Sequence, residues 1–317
     1  KSYSTGKDTI KEMAKLAKKA NDTDTVELME KFSVYSVVAK IGSSFTDNMR
    51  EFIGQDGCLH GRFSAAGTQT GRLSSSKINL QNIPAAKSDV KLFNYMHPVK
   101  RTFNSRFKNG KLLNIDYASL EMHIMALIAN EQSMTDAFLE GKDVHTANAS
   151  LMDAVPYDDV TKAQRQASKA IGFGLIYGKQ TPALADDLGI TIDEAQERVD
   201  KFFETKPNVE KFINDTHAFV EENGYVTTLN GFRRNLTGIV SSDYGTRSKA
   251  LRQSVNTIIQ GSGAILTNTS LIILNKALKQ LHLRSVIAAT VHDSILMDCP
   301  EDEIPKVAKL ALGIMTN

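Results

Sequence analysis

The amino-acid sequence predicts a mixed α/β (α+β) fold, mostly helical, in which a few short antiparallel strands present carboxylates at their ends. Three observations carry this. Residues 164–178 read Q-R-Q-A-S-K-A-I-G-F-G-L-I-Y-G, with Arg165, Lys169, Phe173 and Tyr177 recurring every fourth residue. On an α-helix each stands about 40° further round than the last, so the four form one slowly turning stripe. Leu112, Leu113 and Ile115 make a short apolar run ending in Asp116, after which Leu120, Ile124 and Leu127 follow helical spacing. Near the end, apolar β-type runs over 286–291 and 295–297 flank a turn holding His292 and Asp293.

Composition bounds the answer. A chain of 317 residues with 41% hydrophobic content can bury a substantial core, and by the usual domain sizes it forms two or three lobes of a soluble globular protein. The net charge of +2 does not by itself imply nucleic acid. The basic residues are nevertheless uneven, with seven Lys or Arg against Asp89 between Lys87 and Lys111, and five against Asp243 between Gly231 and Arg252. Such runs are more often solvated faces than phosphate-tracking grooves, although they fit either. Cys58 and Cys299 have no metal-ligand spacing, so neither a disulfide framework nor a structural zinc site is indicated, and a reducing, intracellular setting is expected. No apolar run approaches the ~20 residues needed to span a bilayer, so no membrane partner is expected. The sequence starts at Lys1 rather than Met, which suggests a piece of something longer.

The stripe on 164–178 begins with two cations and ends with two rings, which suits a ligand with phosphates at one end and a flat base at the other. An ordinary amphipathic helix with solvated cations and core aromatics explains the spacing equally well. Gly172 and Gly174 argue against it, because each costs roughly 1 kcal/mol relative to Ala inside a helix. Something must approach the backbone closely there, or the helix must move. The string R-Q-A-S-K-A-I-G-F-G-L-I-Y-G resembles motif B of the family A, Pol I-like DNA polymerases, roughly R-R-x-x-K-x-I-N-F-G-I-I-Y-G, on the fingers helix that receives the incoming nucleotide. The resemblance implies that Arg165 and Lys169 neutralise phosphate charge, with Lys169 a proton donor to pyrophosphate. It places Phe173 by the sugar and Tyr177 at the template base.

From the N-terminus, S-T-G-K-D opens an amphipathic helix with Ile10, Met13, Leu16 and Ala17 on one side, and a second helical pattern runs from Thr25 to about Phe52. The opening resembles the end of the family's thumb; as a phosphate loop G-K-D fails, lacking the surrounding glycine frame. Residues 60–84 are rich in Ser, Thr, Asn, Gln and Gly, and read locally as a polar surface loop. Within them T-G-R-L-S-S-S-K-I-N-L-Q-N-I-P closely resembles the family's T-G-R-L-S-S-x-x-P-N-L-Q-N-I-P, which implies that Arg72, Asn79 and Gln81 contact the duplex near the primer end by shape rather than sequence. Ile78 stands where that pattern has Pro, a departure expected to affect only the local loop. Asp116, taken singly, is more often a helix N-cap than a metal ligand. The string D-Y-A-S-L-E-M-H resembles motif A, which makes Asp116 and Tyr117 metal and nucleotide contacts and Glu121 the residue beneath the sugar; Ala118, Ser119 and His123 depart from the pattern. D-V-H-T at 143–146 resembles the family's D-I-H-T and makes His145 a phosphate contact, where a lone His is otherwise a surface residue.

Amphipathic helices follow, capped by Thr191 or Asp193 and started by Pro207. G-Y-V-T-T-L-N-G-F-R-R at 224–234 reads as a strand and a turn, close to the family's G-Y-V-x-T-L-x-G-R-R-R. Arg252, Asn256 and Gln260 stand four apart with Val255, Ile258 and Ile259 between them, and the I-Q-G step resembles the family's P-V-Q-G, which places Asn256 and Gln260 at the nascent base pair and template strand. V-H-D-S resembles motif C, with Asp293 a metal ligand, His292 a DNA contact, and Ser294 in place of an outer Glu.

Together these resemblances imply a right-hand polymerase fold: an antiparallel palm sheet, mostly helical fingers and a partial helical thumb, with a bacteriophage source compatible. The expected divisions are 1–52 for the end of the thumb, 53–120 for the first part of the palm, 121–263 for the fingers and 264–317 for the rest of the palm. The implied activity is template-directed DNA synthesis on primer-template DNA from deoxynucleoside triphosphates. Asp116 and Asp293 would hold two Mg2+ ions, Mn2+ substituting, with a processivity partner left open. A single-subunit RNA polymerase shares both aspartates but is not expected to carry Glu121 or the T-G-R-L-S-S-S segment. A relative that had lost catalysis would have lost a carboxylate.

Overall fold

The computed structural model describes residues 6–83 and 99–316. Pro84, Lys87, Asp89 and Lys91, and the first residues of the S-T-G-K-D opening, lie outside the described residues.

Helix α1 (Lys7–Lys19) and α2 (Thr23–Ile41) pack on each other. The Asp22 side chain caps α2 by accepting from Thr25 N at 3.0 Å. The expected continuous second helix is interrupted: Gly42–Asp47 is π-helical before a last turn, α3 (Asn48–Arg50). The apolar face expected on α1 is only partly buried. Ala17 is covered, whereas Met13 and Leu16 stay exposed.

Residues 60–83 are more ordered than a polar loop. Strands β1 (Arg62–Ser64) and β2 (Ser74–Ser76) pair antiparallel, with Arg72 in the connection. The hydroxyl of Ser75 then accepts from Leu80 N and donates to Ile78 O, pinning the 3-10 turn Leu80–Asn82. Ile78 is buried, with a left-handed φ of +79° that β-branched residues rarely adopt.

Strand β3 (Lys111–Asp116) opens the central part of the chain. The helices α4 (Leu120–Ala129), α5 (Gln132–Leu139), α6 (Val144–Asp153), α7 (Lys162–Ile176), α8 (Thr181–Leu188), α9 (Ile192–Thr205) and α10 (Pro207–Asn223) follow. Local chemistry sets their ends. Thr161 with Gln164 and Thr191 with Glu194 form capping boxes, so Thr191 rather than Asp193 is the cap. Helix α7 starts at Lys162 and ends at Ile176, with Gly178 left-handed just beyond, two residues off the expected 164–178 at each end. On α4 the burial differs from the spacing-based face: Leu120 and Ile124 are buried with Met122, Met125 and Ala126, but Leu127 is 69% exposed. The helix enters the core at its first turns and leaves it at its last.

Strands β4 (Tyr225–Thr227) and β5 (Arg233–Asn235) form a hairpin, and α11 (Tyr244–Gln280) follows it. At 37 residues, about 55 Å long, α11 is the spine of the molecule. It contributes Val255 and Ile259 to the core of α4–α10, Ala250 to the core under the hairpin, and Leu274 and Leu278 to the core behind the sheet. By average composition, rather than by an uninterrupted apolar run, α11 is long and apolar enough to cross a membrane. An 18-residue window of α11 reaches a mean hydropathy of 1.3, and half of it is buried inside the protein, as befits a core helix. Strands β6 (Val286–Val291) and β7 (Ser294–Cys299) then complete a three-stranded antiparallel sheet of order β3-β7-β6, backed by α11 and α12 (Ile304–Thr316).

Candidate functional site

The sheet brings two distant carboxylates together. In the register of β3 on β7, Asp116 lies opposite Ser294, one residue beyond the His292–Asp293 turn. Tyr117 N donates to Asp293 O at 3.4 Å, closing that end. Asp116 is not an N-cap: α4 starts at Leu120 after Ser119, a left-handed residue whose side chain makes no cap bond. Partial desolvation first, and the charge of Asp293 second, raise the Asp116 carboxyl above its ordinary pKa. The pair is therefore a place where negative charge is crowded and a cation is welcome. Among the described residues no group of three or more His, Cys, Asp or Glu is gathered in the manner of a closed metal site. Two hard oxygen donors fit a hard divalent ion whose remaining ligands are phosphates and waters. The Tyr117 hydroxyl is engaged with Ser270 Oγ at 2.8 Å, so a metal role for Tyr117 rests on its backbone carbonyl.

Beside the pair stands a hydrogen-bonded chain. Glu121, on the first turn of α4, is only 5% exposed. It accepts from Arg72 Nη2 at 2.7 Å and from Tyr177 Oη at 2.7 Å. Arg72 Nη2 also reaches Asp293 Oδ1 at 3.3 Å, and the Gln260 side chain bonds Tyr177. Burial, then the hydrogen bond to Glu121, pushes the Tyr177 phenol up to about 12, so it remains a donor at any physiological pH. The chain Gln260–Tyr177–Glu121–Arg72–Asp293 thus joins α11, the end of α7, α4, the β1–β2 connection and the β6–β7 turn. Arg72 Nε is buried without a partner.

The stripe on α7 faces the same region. Phe173 and Tyr177 stack at 6.4 Å with an interplanar angle of 18°, and Lys169 Nζ lies 5.8 Å from the Phe173 ring centre. Arg165, by contrast, is engaged by a carboxylate. Its Nε and Nη2 each donate to Asp143 at 2.9 Å, and Asp143 also caps α6 through Thr146 N. Although partial burial opposes it, the Arg165 fork and the Thr146 bonds hold the Asp143 carboxyl well below the usual range. His145 is 2% exposed, which excludes the surface role that a lone His suggests, and its Nδ1 has no partner. Its ring lies 5.4 Å from Phe173. Burial, then the charges of Lys169 and Arg165, outweigh Asp143 and lower it to about 4, so the imidazole is neutral. The unfolded chain therefore takes up this proton first as pH falls. Stability that is complete above the ordinary His range should decline between about pH 6.5 and pH 4, by up to ~1.4 kcal/mol per unit from this group. Thermal melting across that range should show a shallower slope for His145→Gln; an unchanged slope would exclude the burial effect.

Of the two glycines of α7, Gly174 has a packing explanation. A Cβ on Gly174 would stand 2.4 Å from Leu184 Cδ2 on α8, so that close approach is made by a neighbouring helix and not by a ligand. Gly172 meets only ordinary contacts from Met122 and Phe202. An equally tight approach is at Gly178, where Arg252 Cγ would lie 2.4 Å from a Cβ. Arg252, Asn256 and Gln260 are half-buried along α11; Arg252 donates to Ser248 Oγ at 2.6 Å and Asn256 Oδ1 has no partner. Asn79 caps the 3-10 turn by accepting from Gln81 N, and that turn packs on β6. Neither Asn79 nor Gln81 bonds to the chain around Glu121, and His292 is exposed beside Asp293. Sequence reasoning missed the partners of Arg72 and Arg165, for which no local pattern exists.

A family model described as DNA polymerase family A matches residues 1–317. The "DNA polymerase" of Bacillus phage SP01 is 40% identical over 281 residues, covering 87% of the chain and 30% of that protein. "DNA polymerase I" of Streptococcus pneumoniae is 33% identical over 314 residues, covering 99% of the chain and 34% of that protein. The chain thus spans about a third of the length of these curated relatives. Among solved structures, the "POL domain of Pol1 from M. smegmatis complex with DNA primer-template and dNTP" superposes with a TM-score of 0.86 at 29% identity, covering 99% of the chain and 53% of that one.

Proposed function

The chain belongs to DNA polymerase family A, and from that premise we propose that it carries the synthetic centre of a template-directed DNA polymerase, adding deoxynucleotides to a primer 3′-hydroxyl and releasing pyrophosphate. The observation that carries the reading is the meeting of Asp116 and Asp293 at one end of the sheet, with the buried Glu121 bonded between Arg72 and Tyr177 beside them. In this reading 1–52 is the end of a thumb, 53–120 and 264–317 are palm, and 121–263 are fingers.

Polymerases of this family generally work with divalent metal ions. We assign two Mg2+ ions, replaceable by Mn2+, to Asp116, Asp293 and the Tyr117 carbonyl; when bound they supply charge neutralisation and acidify the 3′-hydroxyl. The protein's own work is positioning. Lys169, with no acidic partner among the ion pairs of the described residues, takes the triphosphate and donates a proton to the leaving pyrophosphate. The neutral His145, with its unpartnered Nδ1, adds a hydrogen bond to phosphate. Arg165 joins them on exchanging Asp143 for substrate oxygens, a swap between two charge-assisted forks. Phe173 bears on the sugar, and Tyr177 with Gln260 and Asn256 bears on the base pair. Arg72, Asn79, Gln81, Arg252 and His292 line the path of the duplex.

The direct test is primer extension by the purified chain with Mg2+ and the four deoxynucleoside triphosphates. Elongation that follows the template sequence is expected; its absence under conditions where the chain is folded would overturn the reading. Phe173 leaves the space near the sugar's 3′ carbon without a hydroxyl partner. Phe173→Tyr should therefore raise dideoxynucleotide use by roughly tenfold or more, the worth of one added hydrogen bond to a buried group. Equal incorporation ratios in both proteins would remove Phe173 from the sugar.

A further inference from the structure

The β4–β5 hairpin, whose G-Y-V-T-T-L-N-G-F-R-R sequence has no part in the site described above, docks on α11 at three successive points. Arg234 Nη1 donates to Thr257 Oγ1 at 2.7 Å, and that hydroxyl donates to Gln253 O at 2.6 Å. Leu229 N donates to Ser262 Oγ at 3.1 Å. Between them, a Cβ on Gly261 would stand 2.5 Å from Thr228 Cγ2, so the hairpin turn rests directly on the helix backbone. Thr257 and Gly261 each follow one residue after Asn256 and Gln260, which places the docked face about 100° round from the polar stripe.

Arg234 is an expensive residue for a simple brace. It is half-buried, its Nε has no partner, and burial alone lowers its pKa, with no carboxylate acting on it. Thr257 is fully buried, so the bond between the two is shielded from water. The turn they hold is the one from which Gln260 reaches Tyr177, and through it Glu121.

We propose that Arg234 is a positioning residue for template reading: through Thr257 it fixes the turn of α11 that carries Asn256 and Gln260, and so sets how closely a new base pair is inspected. The inference rests on the polymerase reading above. A misplacement of about 1 Å in such a site can cost a hundredfold, so partial release of this turn should change discrimination by about tenfold.

The test compares Arg234→Met, Arg234→Lys, Thr257→Val and Thr257→Ser with the unsubstituted chain. Specificity constants for right and wrong nucleotides at one template position are measured alongside primer-template Kd at two salt concentrations and thermal melting. Arg234→Met and Thr257→Val should each narrow the right-over-wrong preference about tenfold, and the double variant little more, because both remove one bond. Arg234→Lys and Thr257→Ser, which keep a donor and a hydroxyl, should restore most of the preference. Kd and its salt dependence should stay unchanged. An unchanged preference in both Arg234→Met and Thr257→Val would overturn the inference. So would weaker binding by Arg234→Met alone with a salt slope smaller by about one, the signature of a direct phosphate contact. Extension by the unsubstituted chain separates this failure from failure of the polymerase reading. A template 2-aminopurine beside the primer end gives a readout without turnover: its fluorescence in the binary complex should change in both Arg234→Met and Thr257→Val, and constancy would overturn the positioning role.

Discussion

Asp116→Asn or Asp293→Asn should abolish primer extension, by on the order of a thousandfold or more, while primer-template binding stays within about twofold of the parent. The two side chains differ in surroundings, which sharpens the expectation. The Asp116 carboxyl has a raised pKa because its charge is opposed by desolvation and by Asp293, so at neutral pH that charge destabilises the fold. Asp116→Asn should melt no lower than the parent. Asp293 accepts from Arg72, and the amide oxygen of Asn preserves an acceptor, so Asp293→Asn should lose only a modest amount of stability. Loss of activity without loss of stability or binding is the pattern of groups retained for their charge toward a metal. Extension by either variant within about tenfold of the parent would remove the two-metal assignment, given the several kcal/mol such ions contribute.

Glu121→Ala should lower discrimination against ribonucleotides by about ten- to hundredfold, read as the ratio of specificity constants for the two sugars, and should slow normal synthesis somewhat. A 2′-hydroxyl beneath the sugar would meet a carboxylate already committed to two donors, Arg72 and Tyr177. It must either collide with that group or displace one of its bonds, and an unpartnered buried polar group costs roughly 1–3 kcal/mol. Removing Glu121 also leaves the Tyr177 hydroxyl without its acceptor and Arg72 with Asp293 alone, so some loss of stability is expected. Tyr177→Phe separates the two effects, since it frees one carboxylate oxygen while keeping the ring. It should relax the sugar preference less than Glu121→Ala does. An unchanged ratio in Glu121→Ala would make Glu121 a purely structural link between α4 and α7 and would reopen the RNA polymerase alternative.

Much of this site can be read along the chain because its parts are periodic or local. The two aspartates stand at the ends of apolar β-type runs, and the α7 stripe follows the helical repeat. The order of the resembling motifs then implied which lobes they belong to. Other features had no such signal. The paired strands β1 (R-F-S) and β2 (S-S-S) are three residues each and lack apolar alternation, so they read as a loop. Leu127 fits the α4 repeat yet is exposed, because burial depends on where a helix leaves its neighbours. The glycines of α7 implied either a close approach or a moving helix, and at Gly174 the approach is that of Leu184.

By itself the sequence determined the α7 helix with its stripe of two cations and two rings, the strands β3, β6 and β7, and the two carboxylates at the strand ends, since each depends on residues within a few positions of one another. Only the tertiary structure decided which charges meet. Arg72 bonds Glu121 and Asp293 across 49 and 221 residues, Arg165 turns to Asp143 across 22, and Arg234 grips Thr257 across 23. Backbone periodicity is set by local sterics, whereas a long flexible cation can reach any acceptor that packing brings within about 3 Å of it. Which acceptor that is becomes definite only when α11 and the sheet have brought the ends of the chain together.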